Sequence, residues 1–240
     1  MNRLIIQNSN INNTIKISDP QILNHLKNTL KVKIGDLIKI CIPGLGLGNA
    51  RIQAIDKNAY QLEIRGEIIP GQLPWFELWV AACRPQTVKK VLEYGTSMGC
   101  SKFIFFKSEL MEKSYMTSKI WDESEYQNHL LEGLAQSAIY FQIPSVEIWN
   151  HFPHQVIEDR PKYLFHPYSH EDHDILSFSK DNSQQPILAI GGERGFTKAE
   201  MHKLVHNLNF TPLKLGKAIL RVEVATVAAI TVVQNKMRIP

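Results

Sequence analysis

Cysteine is scarce in this chain of 240 residues, and the three present, Cys41, Cys83 and Cys100, are an odd number at wide spacing. They match neither a disulfide framework nor a CxxC metal knuckle. Long apolar runs are missing as well. The longest apolar stretch, Leu220 to Val233, is interrupted by Arg221 and Glu223, and it falls short of the roughly eighteen residues a membrane helix needs. The segment Met1 to Asn13 is polar and rich in asparagine, without the apolar core and small-residue cleavage site of a secretory leader. Repeats and low-complexity tracts are absent. Charged residues are only 21% against 44% hydrophobic, which excludes disorder and provides for a packed core without staples. These features predict a reduced, cytoplasmic protein of one large or two unequal domains, without a membrane partner.

A surplus of one charge sign is small overall, +4, but it is unevenly placed. Residues 1–70 carry nine Lys/Arg against five Asp/Glu, and residues 71–240 carry eighteen of each. A basic module followed by a neutral one suits a nucleic-acid-docking appendage on a catalytic body.

Hydrophobic periodicity divides the chain at the same place. Up to residue 70 it alternates with a period of two in Leu37–Ile42, Ala50–Ile55 and Tyr60–Ile68, with shorter strands at Arg3–Gln7 and Thr14–Ile17. One helix, Gln21–Lys31, follows Asp19-Pro20, an N-cap with proline at the first helical position. This reads as a small β-barrel, and Pro70-Gly71-Gln72-Leu73-Pro74 as the linker. Beyond it strands alternate with helices: strands at 76–82, 102–106, 145–149, 163–165 and 186–190, helices at 87–98, 121–140, 198–207 and 222–235. That order predicts an α/β domain with a mostly parallel sheet.

Four segments are candidates for function. The glycine-rich Pro43–Gly48 is followed by a strand pattern instead of a helix, so it fails as a phosphate loop and reads as a hairpin tip. Five histidines between His151 and His173 could hold a metal, yet Pro167 and Ser169 point to a solvated loop, and no metal is expected. In Ile187–Glu200 an apolar strand ends at Gly191-Gly192-Glu193-Arg194-Gly195, and Thr197-x-x-Glu200 forms a capping box. This is either a ligand-binding strand–loop–helix turn or a structural turn that needs glycine. In Leu213–Thr226 a second such turn contains Gly216 and leads into a helix apolar almost all round, which suits a core or a dimer interface. Arg221 and Glu223 at its start are either a structural ion pair or functional groups.

Taken together, strand-I-G-x-E-x-G-F-T-x-x-E (Ile190–Glu200) and L-G-x-x-I-L-R-x-E-x-A (Leu215–Ala225) resemble the RsmE-type ribosomal RNA methyltransferases of the SPOUT superfamily. The resemblance runs the length of the chain: His25-Leu26 through Leu30–Asp36 is similar to the family's PUA-like barrel motif, Lys89–Gly99 to its helix ending in ELG, and Gln136-Ser137 to its EQS. It implies a PUA-like β-barrel over 1–70 and a SPOUT domain with a deep trefoil knot over 71–240. It implies S-adenosyl-L-methionine held by Leu164, Phe165, His166, Ile190, Gly191, Gly192, Glu193, Gly195, Leu215, Gly216 and Leu220, largely through backbone. Catalysis would fall to Arg221 and Glu223, and RNA contacts to Arg3, His25, Lys27, Lys31, Lys33 and Arg194. The implied reaction is methylation of a uridine N3 in small-subunit (16S) ribosomal RNA, free or in the assembled 30S subunit, by a homodimer.

Departures from the pattern are specific. The family's G-P-E-G-G-F reads Gly191-Gly192-Glu193-Arg194-Gly195-Phe196, and L-R-x-E-T-A reads Leu220-Arg221-Val222-Glu223-Val224-Ala225. The arginine after EQS is replaced at Ile139 or Tyr140, and VLR reads Thr29-Leu30-Lys31. These departures suggest an alternative, a paralogue that binds RNA or cofactor with little catalysis.

Overall fold

The structure, a computed structural model, describes residues 3–7, 13–155, 160–167 and 184–237. The chain divides into two compact units: residues 1–73 with 134–142, and residues 74–133 with 143–240. The linker expected at 70–74 thus contains the first division, and a returning segment belongs with the N-terminal unit. Within that unit the N–H of Arg3 donates to the Ala135 carbonyl at 2.8 Å, and that of Gly44 to Phe141 at 2.9 Å.

In the first unit β1 (Leu4–Ile5), β2 (Thr14–Ile17), β3 (Leu37–Ile42), β4 (Gly46–Ile55) and β5 (Tyr60–Ile69) form a sheet in the order β1-β3-β4-β5-β2. Alternation places Ile15, Ile17, Ile38, Ile40, Ile52 and Leu62 in one core with Leu26. The glycine-rich stretch is only partly a tip: its turn is Pro43-Gly44-Leu45, and Gly46 and Gly48 lie in β4. The helix starts as expected, with the Asp19 carboxylate accepting the N–H groups of Gln21 and Ile22. α1 (Pro20–Asn24) then widens into a π-helical turn, His25–Thr29, closed by the Val32 N–H on the Leu26 carbonyl at 3.1 Å with Lys31 left-handed at φ +51°.

The second unit is built on six parallel strands: β6 (Phe76–Ala81), β7 (Cys100–Phe106), β8 (Ser145–Trp149), β9 (Lys162–Phe165), β10 (Ile187–Ile190) and β11 (Thr211–Leu213), ordered β11-β9-β10-β6-β7-β8. β6 and β10 are buried at every position, as central parallel strands covered on both faces must be. The helices are α2 (Pro85–Ser97), α3 (Glu123–Gln136), α4 (Lys198–His202) and α5 (Val222–Met237). α3 is shorter than the expected 121–140, α4 passes into a π-helical turn at Lys203–Asn207, and β11 is the strand implied by the second strand–loop–helix turn, for which the periodicity gave no bounds. β11 is three residues containing Pro212, too short to show a period.

Trp79, Phe106, Leu164, Ala189, Phe196, Leu204 and Phe210 pack as one cluster. A charged group lies in the same sheet: Glu77 of β6 accepts from Trp79 Nε1 at 2.6 Å and pairs with Arg160. All three cysteines are buried. Burial pushes the Cys41 thiol up to about 11 and carries those of Cys83 and Cys100 well above their usual range, so none is poised as a nucleophile. Among the described residues no helix is long and apolar enough to cross a membrane.

Candidate active site

Because every pairing in the second sheet is parallel, all six strands end at one edge. β9 lies between β10 and β11, with Phe165 opposite both Ile190 and Leu213. The segments after these strands, His166-Pro167, Gly191–Phe196 and Lys214–Arg221, are therefore neighbours, although they are far apart in the sequence. This is the crevice beyond the carboxyl ends of the strands where α/β proteins bind ligands.

Two depressions open there. Phe165, His166, Pro167, Leu215, Gly216, Ala218, Leu220 and Ala225 line a small one of about 50 Å³. It unites five of the expected cofactor residues, Phe165, His166, Leu215, Gly216 and Leu220. Gly216 has φ +151° and open space where a Cβ would lie, so its backbone faces the depression bare. Leu164 and Ile190 are buried strand residues. Gly192, Glu193 and Gly195 border a larger cleft of about 370 Å³, in which they and Arg194 meet Ala82, Arg84, Ser108, Leu110, Met111, Glu112 and Tyr115, whereas Gly191 lines neither depression. Arg194, introduced where the family has glycine, is thus on the larger cleft and not in the small depression.

Gly192–Gly195 is a tight turn closed by the Gly195 N–H on the Gly192 carbonyl at 3.0 Å. Gly195 sits at φ +68°, and a Cβ on Gly191 would come within 3.1 Å of the Gly195 Cα. The segment is a constrained turn that needs glycine, and it lines the larger cleft. Gly195→Val places a β-branched residue in the left-handed region, at a cost of about 2 kcal/mol. The expected result is a lower urea midpoint together with loss of ligand binding at the loop, and an unchanged midpoint would contradict the strain argument.

The Glu193 carboxylate accepts the Arg84 N–H at 2.8 Å, at the N-terminus of α2, where negative charge is favoured. Arg84 Nε donates to the Tyr115 hydroxyl at 3.3 Å. The Cys83 thiol is raised first by burial and then by the Glu193 and Glu223 carboxylates, so both acidic groups act on one point. Glu223 is buried, with Arg221 Nε at 3.2 Å and Lys90 Nζ of α2 at 3.9 Å. The Arg221 side chain itself is 78% exposed. Lys90, Arg84, Glu112 and Tyr115 escaped the sequence reading, since no local spacing ties them to the glycine turns.

Burial holds the His166 imidazole below its usual 6.5. The unfolded chain then takes up a proton that the folded chain resists, so this contribution is intact above about pH 6.5 and is lost as pH falls through the folded value. Thermal midpoints followed from about pH 7 to about pH 5 should drop less in His166→Asn than in the parent. Identical pH dependence would refute the assignment.

The expected RNA contacts divide between the units. Lys27, Lys31 and Lys33 are exposed on the first unit and His25 is half-buried. Arg3 is engaged in structure, its guanidinium donating to the Ala138 carbonyl at 2.9 Å. Of the histidine-rich stretch, His151 and His154 have rings 4.9 Å apart, whereas His170 and His173 lie outside the described residues.

A parallel α/β sheet with glycine turns and a cation–carboxylate group at its carboxyl edge defines a ligand-binding α/β domain, and residues 72–234 match the RNA methyltransferase domain. The chain belongs to that family, as a divergent member of the RsmE type. It is 28% identical, over 99% of both chains, to ribosomal RNA small subunit methyltransferase E 1 of Borreliella burgdorferi. It is 24% identical, over 93% of this chain and 90% of the relative, to ribosomal RNA small subunit methyltransferase E of Rickettsia conorii. In fold it is similar to the Neisseria gonorrhoeae ribosomal RNA small subunit methyltransferase E solved with S-adenosyl methionine (TM-score 0.74, 20% identity, covering 98% and 97%). A Legionella pneumophila methyltransferase solved with the same cofactor is also similar (TM-score 0.75, 20% identity, covering 97% and 96%).

Proposed function

We propose that this chain is an S-adenosyl-L-methionine-dependent methyltransferase of small-subunit ribosomal RNA, acting on N3 of a uridine as a cytoplasmic homodimer. The observation that carries the reading is the convergence of Phe165, His166, Leu215, Gly216 and Leu220 on one depression, close in sequence to the Arg221–Glu223 pair. The full-length relatives support the substrate class. In this reading residues 1–70 form a PUA-like barrel that meets RNA through Lys27, Lys31 and Lys33. Residues 71–240 form the SPOUT domain with its trefoil knot, and the exposed Ile219, Leu220 and Val224 meet the second copy.

The residues present suit the cofactor. Phe165, Pro167, Leu215, Leu220 and Ala225 supply apolar walls for an adenine, and bare backbone at Gly216 admits close contact. A depression of about 50 Å³ is smaller than a nucleoside, so the cofactor reading requires the exposed stretch 216–221 to move outward. Bound there, the sulfonium supplies an electrophilic methyl group. The chain positions the acceptor and stabilises charge. Loss of the N3 proton to bulk water would place negative charge on N3 and the flanking carbonyl oxygens, and that charge would be discharged when N3 accepts the methyl group. Arg221 answers that charge while Glu223, itself fixed by Lys90, holds its Nε edge. The larger cleft, with Arg84 and Arg194 on its walls, takes RNA phosphate.

A second reading, a paralogue that binds RNA or cofactor with little catalysis, draws on the small size of the depression and on Val224 standing where the family has threonine, 48% exposed. Calorimetric titration with S-adenosylmethionine and S-adenosylhomocysteine, followed by methyl transfer to unmethylated 30S subunits, separates the two. Micromolar binding at one site per chain with transfer to a uridine N3 is the expected result. Binding without transfer selects the paralogue, and neither binding nor transfer sinks the enzyme.

A further inference from the structure

Away from the glycine turns, three side chains with metal-ligating chemistry meet on the second unit. Glu93 projects from α2, and His129 and Glu132 from α3, three residues apart and so on one helix face. Their ligand atoms all lie within 4.8 Å of one another. His129 Nδ1 is 2.8 Å from Glu93 Oε1 and 3.7 Å from Glu132 Oε2. The two helices are held close by Gly133: a Cβ there would come within 2.4 Å of the Glu93 carbonyl oxygen and 2.8 Å of Thr96 Cβ. The cluster therefore stands on two packed helices, which fix it more firmly than a loop would.

We infer that Glu93, His129 and Glu132 form a binding site for a divalent transition-metal ion of the zinc class. One imidazole and two carboxylates are a donor set such ions take, with a position left for water. Around a tetrahedral ion with bonds near 2.1 Å, ligand atoms stand about 3.4 Å apart. The observed 2.8 and 3.7 Å bracket that spacing, and the two carboxylates lie within 4.8 Å of each other. The charge balance points the same way. Among the described residues no lysine or arginine pairs with either carboxylate, and His129 alone faces both. A bound cation neutralises this pair and pins α3 to α2, the helix whose Lys90 faces Glu223. The site is distinct from the histidine-rich stretch and does not depend on the methyltransferase reading.

The test uses the full chain without an affinity tag, titrated with Zn²⁺ alone by calorimetry and with Co²⁺ by visible absorption. One ion per chain is expected, with the thermal midpoint rising by roughly 5–10 °C at a hundredfold excess over Kd. Glu93→Gln, His129→Gln and Glu132→Gln should each weaken binding by about tenfold or more and remove the Co²⁺ d–d bands. Glu132 is 61% exposed, so its variant folds even if the others do not. The histidine pair His202 and His206 of a different helical segment, with rings 4.5 Å apart, is the control, and its alanine variants should bind zinc as the parent does. Absence of binding overturns the site. So does binding unchanged in all three variants, or binding lost only with His202 and His206.

Discussion

Replacing Arg221 by alanine should lower methyl-transfer turnover by about a hundredfold or more while leaving S-adenosylmethionine affinity within about twofold. The expectation rests on where the side chain is. Arg221 is 78% exposed and touches the rest of the protein through Glu223, 3.2 Å from its Nε. It is therefore available to the incoming base and is not a wall of the small depression, which is lined by Leu220 and Ala225 on either side of it in sequence. Removing it does not strand a buried charge without a cation, because Lys90 Nζ stays 3.9 Å from Glu223. The variant should fold, which makes its kinetics interpretable. Equal losses in affinity and turnover would assign Arg221 to the cofactor instead of the uracil.

The largest structural effect is expected at Glu200. Its buried carboxylate joins two loops: Oε2 accepts the Thr197 N–H at 2.9 Å within the capping box, and Oε1 accepts the Glu109 N–H at 2.7 Å. Glu109 follows β7 beside Ser108 and Leu110 on the larger cleft, and Thr197 follows the Gly192–Gly195 turn. Glu200→Ala leaves two amides without their charged acceptor, and hydrogen bonds to an ionised group contribute more than neutral ones. A loss of about 3 kcal/mol is expected, read as a lower urea midpoint, with weaker binding to both cleft walls. Glu200→Gln should recover part of it, since one oxygen still accepts. A loss under about 0.5 kcal/mol would mean that solvent replaces both bonds, and that Glu200 does not tie the loops together.

Much of this was legible in the residues because the forces concerned act over a few positions. Asp19-Pro20 and Thr197-x-x-Glu200 announce helix starts because a cap bonds N–H groups two or three residues away. The alternation in Leu37–Ile42 and Tyr60–Ile69 is the pleat itself. Gly195 marked a turn because φ +68° there is costly for any other residue. Less legible were the ends of the helices: α1 and α4 both widen into π-helical turns, which leave the apolar spacing nearly unchanged. Residues 134–140 read as the tail of a long helix, yet Leu134–Gln142 belongs with the first unit.

By itself the sequence determined the alternating order of strands and helices, their caps, the two glycine turns and the family resemblance, all carried by spacing along the chain. Only the tertiary structure decided that β10 lies between β9 and β6, and hence that the turns after β9 and β11 share one depression while the turn after β10 lines another. It also decided that Lys90 faces Glu223, that Glu200 reaches Glu109, and that Glu93 meets His129. These pairs have no characteristic separation in sequence. They exist because burying apolar faces on a parallel sheet fixes which strand ends become neighbours, and only then do charged groups find partners.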